Sequence, residues 1–400
     1  MRDAVARVRT SDVIAFRLRT HHLTSRQPAD DVPEVAGACG IQNSPPGSAL
    51  LALHARAEDV TRGRVEHLVG EDKSLLQTWC MRGAPFYFPT TDAPVFTTGV
   101  LPATEAARLH LIVGVDGALN QLGMGLDDAV DSTAEEIAAV LSGRQLAINE
   151  LGEELAERIA GRLSSTQRKI WQAEGPYGAN QPLGEGVVHF CIRMLTLRGI
   201  VCLASRSENK APFVLLEEWL GRPLPQVDPD RARATLLRRY LRCYGPSTRK
   251  DFAAWVGVHA GDVDPWWSTV EDELTPVEFD GNRAWILAED LGVLRSPPEA
   301  RGVRLLPPRD PYTQMRDRET IVDKQHHREV WKTVGEPGTV LADGRIVGIW
   351  RPRKSGRTLA VKVTTFRSLS TEVRKQLREE ADQVAELRGA AGVHVEFDDA

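Results

Sequence analysis

SLLQTWCMRGAPFYFPT, residues 74–90, is the stretch on which the fold turns. Leu75, Leu76 and Trp79 precede Gly83, and Phe86, Tyr87 and Phe88 follow it. Two short runs of strand-forming residues with a glycine between them predict a hairpin. Upstream the pattern is helical. TSDVIAFRLRTHHL, from Thr10, offers Ser11 as an N-cap and Val13, Ile14, Phe16 and Leu18 as apolar positions. DDVPEVAGACG reads as a short second helix ending at Gly40, and GSALLALHARA as a third. Three helices followed by a small hairpin is the winged-helix order, in which the third helix commonly lies on DNA and the hairpin is the wing.

Working outward, the same order recurs. INELGEELAERIAGRL (148–163) is a periodic helix, and GEGVVHFCIRMLTLRGIVCLASR then turns at Gly199 from a helix into an apolar strand. A third copy begins near Asp228: a helix, a Gly-Pro turn, a second helix capped by Ser247 or Thr248, and two strands around Asp280-Gly281-Asn282. After Gly302 short β-rich runs are separated by Asp-Gly and Ser-Gly turns, and an amphipathic helix from Ser370 closes the chain. The expectation is an α+β protein with three tandem winged-helix domains (1–125, 126–225 and 226–300) and a small C-terminal β-barrel with its closing helix (301–400).

The 400 residues are 42% hydrophobic and 26% charged, the composition of an ordinary soluble protein. No apolar run reaches membrane-spanning length, and the first residues carry no secretion-signal pattern. Five scattered cysteines without a CxxC pair argue against a zinc site or a disulfide framework and for a reducing cytoplasm. Net charge is −5, which alone counts against nucleic acid, but residues 301–370 hold 15 Lys and Arg against 7 Asp and Glu, an excess of +8. Arg351, Arg353, Lys354 and Arg357 flank the Ser355-Gly356 turn and suit phosphates, whose contacts dominate nucleic-acid affinity. Arg56, Arg82 and Arg318 are further candidates for the same role. His326 and His327 are adjacent, so on a helix they point about 100° apart and no metal is expected there. Trp255, Trp266 and Trp267 are expected in the core.

Three sets of residues together resemble one family. RLLPPRDPYTQMRDRETIV, LADGRIVGIWRPR and FRSLS look like the C-terminal part of the AlkZ/YcaQ family of bacterial DNA glycosylases, and GIQNSPPGSALLALHAR with QTWCMRGAPFYF looks like its first winged helix. The likeness runs from about Thr10 to Arg388. It implies excision of alkylated purines, interstrand crosslinks included, from double-stranded DNA held in a channel, with no cofactor or metal. The family's catalytic motif is Gln, an aliphatic residue, then Gln or Asp. It falls on Gln42, Asn43 and Ser44, which makes Gln42 and Ser44 the catalytic candidates and Asn43 a DNA contact. Two positions depart from the pattern: Ser44 stands where Gln or Asp is usual, and Ala84 and Phe86 replace the Thr and His of MRGTxH. Asp310, in the DPY loop, is implied to support the DNA face. Base release would make this chain a glycosylase; tandem domains in one chain remove the usual need to dimerise for two contacts, so a monomer is expected. Binding without release would make it a lesion-recognising or regulatory DNA-binding protein. A winged-helix protein-interaction scaffold fits the net charge but not the basic segment.

Overall fold

Leu75–Trp79 and Pro85–Pro89 run antiparallel, with Gln77 opposite Tyr87. The connection is tight because Arg82 (φ 56) and Gly83 (φ 65) both take left-handed backbone, and the Cys80 N–H donates to Ala84 O at 2.8 Å. This computed structural model describes residues 5–206 and 211–398.

The chain packs as two units. One holds Glu66–Leu236 and Val256–Thr269; the other holds Met1–Val65, Leu237–Trp255 and Val270–Ala400. In the first, the hairpin does not stand alone. Gln77 pairs antiparallel with Leu203, which joins it edge to edge with the Val201–Leu203 and Phe213–Leu215 strands. The helix Leu183–Leu197 feeds this sheet through Gly199 (φ 69). Its apolar residues Val187, Val188, Cys191, Ile192 and Leu195 pack with Leu151, Leu155 and Ile159 of the helix Ile148–Ala160 and with Val130 and Ile137 of Leu126–Leu141.

In the second unit the helix Thr10–Thr20 lies on a three-stranded sheet. Val13 and Phe16 meet Val277, Phe279, Ala284 and Ile286. The strands Leu274–Phe279 and Asn282–Leu287 turn at Asp280 and Gly281, both at positive φ, which is the turn that asparagine, aspartate and glycine favour. Thr248 caps the helix Arg249–Val256 by accepting from the Asp251 N–H at 3.2 Å. Arg17, fully buried, donates to the carbonyls of Tyr244, Gly245 and Pro246 and to Asp317, so one side chain clamps the Gly-Pro turn. Trp255, Trp266 and Trp267 are buried, each within its own unit.

The C-terminal strands correct the barrel expectation. They form an open sheet in the order Gly392–Asp398, Thr358–Thr365, Arg345–Ser355, Gly338–Ala342, Val303–Leu306. A helix does the work that closure would have done: Leu377, Ala381 and Val384 of Thr371–Leu387 pack on Val303, Leu305, Val340, Val361 and Val363. That helix begins where Ser370 Oγ accepts from the Val373 N–H at 3.2 Å. It crosses over to Gly392–Asp398, which runs parallel to Thr358–Thr365 and whose acidic end alone stands out in the sequence. The strand's signal is the alternation of Val393, Val395 and Phe397 with polar residues. Asp399 and Ala400 lie outside the described residues.

His54 ends the helix Ser48–His54, and burial first, then Arg26 and Arg304, push its pKa down from 6.5 to about 4. The folded protein therefore holds His54 neutral while the unfolded chain protonates it below about pH 6.5. Its contribution to stability is complete above that value and is lost as pH falls toward 4. His54→Gln is expected to flatten the fall in urea midpoint between pH 7 and 4.5. An identical fall in both proteins would exclude His54 as its source.

Candidate functional site

The Gln42–Ser44 loop is built into the start of a helix. Asn43 Oδ1 accepts from the backbone N–H of Gly47 at 2.9 Å and of Ala49 at 3.4 Å, which satisfies amides that the first turn of Ser48–His54 would leave open. Ser48 Oγ donates to Gln42 O at 3.2 Å, fixing the other strand of the loop. Gly47, at φ 87, makes the turn that an L side chain would strain. Gln42 is 3% and Asn43 7% exposed, Ser44 is half-buried, and Pro45 to Gly47 are exposed. With its oxygen committed to the helix, a DNA contact by Asn43 would fall to its amide nitrogen.

Arg56 is 1% exposed, which corrects the expectation that it holds a phosphate. Its Nη1 donates to Ala52 O and to Asp310 Oδ2, both at 2.8 Å, and its Nη2 donates to Asp310 Oδ1 at 2.6 Å. A buried guanidinium in a two-pronged pair with a buried carboxylate has no free face for DNA. Asp310 Oδ1 also accepts from the Tyr312 N–H at 2.9 Å, and Tyr312 Oη donates to Gly344 O at 2.7 Å. Tyr244 Oη donates to Pro311 O at 2.9 Å. The DPY loop is thus bolted to the helix end that follows the Gln42 loop and to the Gly-Pro turn.

The basic residues divide by exposure. Arg345–Ser355 and Thr358–Thr365 extend as a two-stranded arm in which residues 351 to 358 are all exposed. Arg351 Nη1 donates to Gly335 O at 3.1 Å and Lys354 Nζ to Arg388 O at 3.3 Å, while Arg353 and Arg357 stand in solvent on the same arm. Arg318 is half-buried, its guanidinium carbon 4.5 Å from the Trp331 ring centroid, and burial, then Arg316, lowers its pKa. It lines a recess of about 640 Å³ with Lys250, Arg283 and Arg316, groups that the sequence did not single out. Arg82 belongs to the other unit. It is half-buried at the hairpin turn, 5.8 Å from the Phe86 ring centroid.

Among the described residues, two groups of metal-capable side chains meet that sequence spacing does not reveal: His21 with Cys39 and Cys243, all buried, and His110 with His259 and Asp262. Their ligand atoms lie within 4.8 Å of one another in each group. His326 and His327 are in neither; they bond separately, to Glu329 and to Val322 O. All five cysteines are free thiols. Among the described residues, no helix is long and apolar enough to cross a membrane.

Comparison with known proteins places this geometry. The family described as "DNA glycosylase AlkZ-like" matches residues 35–387. An "interstrand DNA cross-link repair glycosylase" of Streptomyces sahachiroi is 27% identical over 391 residues, 96% of this chain and 97% of that protein. The solved structure of Streptomyces sahachiroi DNA glycosylase AlkZ superposes with a TM-score of 0.77 over 98% of this chain and all of that one, at 24% identity, a likeness of fold. A match that begins before the Gln42 loop and ends in the last helix leaves one conclusion: the chain belongs to the AlkZ-like DNA glycosylase family.

Proposed function

We propose that this protein is a monomeric, cytoplasmic DNA glycosylase that hydrolyses the N-glycosidic bond of alkylated purines, interstrand crosslinks included, in duplex DNA. The observation that carries this reading is the family match over residues 35–387. Its finer architecture is three tandem winged helices. A cationic alkylated purine takes the electrons of the C1′–N bond and departs neutral, so no acid is required. A water oxygen then bonds C1′ and loses its proton to solvent. The enzyme must hold that water and stabilise positive charge on the sugar. Gln42 orients the water through its carbonyl, Ser44 assists it, and Asp310, through Arg56, keeps the loop in place. Arg82, Arg318 and the arm residues Arg351, Arg353, Lys354 and Arg357 hold phosphates.

The test is release of free base and formation of abasic sites from a duplex carrying an N7-alkylated guanine. Ser44, in place of an acid or amide, favours the second reading, a DNA-binding protein without catalysis. Salt-sensitive binding with no release from either an alkylated or a crosslinked duplex would establish that one instead. The arm has its own prediction. Arg353→Ala with Arg357→Ala is expected to lower the slope of log K against log salt by about 1.8, close to 0.9 for each phosphate no longer neutralised. An unchanged slope would remove the arm from the interface.

A further inference from the structure

Arg193 interrupts the apolar run VVHFCIRMLTL of the helix Leu183–Leu197. Its guanidinium carbon stands 5.5 Å from the Trp79 ring centroid and 5.1 Å from that of Phe190, and its Nε is buried with no hydrogen-bond partner. Burial is the sole cause lowering its pKa, so no carboxylate answers it among the described residues. Arg56 and Arg26, by contrast, are answered by Asp310 and Glu380.

The same arginine lines a recess of about 310 Å³ with Trp79, Arg82, Gly83, His110 and Gly257, and no Asp or Glu is among the lining residues. Asp262, which pairs with the lining residue His110, is engaged by its Nδ1 at 2.7 Å. The walls are set before any ligand arrives. A Cβ added at Gly83 would stand 3.7 Å from Arg193 Cδ, and one at Gly257 would stand 3.0 Å from Arg82 Cγ, so backbone packs against both long side chains. A half-buried guanidinium without a counterion is costly to hold. An anion beside it removes that penalty, and a planar guanidinium fork matches the two non-bridging oxygens of a phosphate. Stacking on Trp79 and Phe190 leaves the fork's edge for that purpose.

We propose that this recess is a phosphate site, occupied by a backbone phosphodiester of duplex DNA, with Arg193 as its half-buried anchor. The identity of the phosphate rests on the DNA reading above; the anion site itself does not. Arg193→Gln is expected to lower the salt slope of duplex binding by about 0.9 and to weaken binding roughly tenfold at moderate salt. Arg193→Lys keeps the charge and loses the fork, so the slope is expected to stay near wild type while affinity falls. A wild-type slope and affinity in Arg193→Gln, with the arm variant still losing its share, overturns the DNA assignment. Calorimetric titration with inorganic phosphate at low salt is the second probe. Binding heat that disappears in both Arg193 variants, at wild-type melting temperature, supports the anion site, and equal heat in all proteins overturns it. Phosphate binding that depends on Arg193 with an unchanged duplex slope assigns the recess to free phosphate and overturns the DNA source. Wild-type protein that binds no duplex would sink the glycosylase reading, and the phosphate titration then decides the site alone.

Discussion

Asp310→Ala is expected to remove about 3–5 kcal/mol of folding stability, a loss comparable to the whole stability of many domains. The carboxylate is fully buried and takes two hydrogen bonds from Arg56 and one from the Tyr312 N–H. Removing it leaves a guanidinium uncompensated inside the unit and an amide without an acceptor. The size of the effect lies in that orphaned charge rather than in the worth of the pair. Arg56→Met combined with Asp310→Leu is therefore expected to recover most of the loss, since both charges then vanish together. Urea unfolding of the single and double variants followed by circular dichroism makes the comparison. A double variant as unstable as Asp310→Ala would show that packing at the DPY loop, not charge, sets the cost.

The second large effect is chemical. Gln42→Ala is expected to lower single-turnover base release on the order of 100-fold, the cost of losing one positioned group at a transition state. Duplex affinity should change little, because the proposed phosphate contacts lie elsewhere. Ser44→Asp restores a carboxylate at the third position of the motif and is expected to raise release on the order of tenfold by supplying a general base. Ser44 is half-buried, so the carboxylate remains hydrated enough to ionise. Equal rates for wild type and Gln42→Ala would take Gln42 out of the mechanism, and the family motif would then mark only the loop's shape.

Features legible in the sequence were those written within a few residues. The 74–90 hairpin, the Asp280-Gly281 turn and the Thr248 cap each depend on local backbone preferences, and each stands where its residues place it, whereas Ser11, expected as an N-cap, lies inside the helix Thr10–Thr20. The open sheet did not read locally, because whether strands close depends on what covers them, and here a helix does. Arg56 looked like a surface cation because its partner lies 254 residues away. Asn43 looked like a site residue, and its burial under a helix start became visible only with the Gly47 and Ala49 amides in place. Arg193 did leave a trace, a lone cation in an apolar run, but nothing in the sequence says that Trp79 and Phe190 receive it.

The unit that carries Gln42 is assembled from three stretches of chain, the last beginning at Val270. On the ribosome that arrangement becomes a delay. At typical elongation rates the 254 residues between Arg56 and Asp310 take roughly 10–50 s to synthesise. Throughout that interval the Gln42 loop exists as peptide but lacks the carboxylate that anchors the helix behind it. The Glu66–Leu236 stretch emerges meanwhile, with most of its own unit in hand. A nascent chain stalled before Asp310 would thus present the helical unit while the Gln42 loop still lacks its anchor.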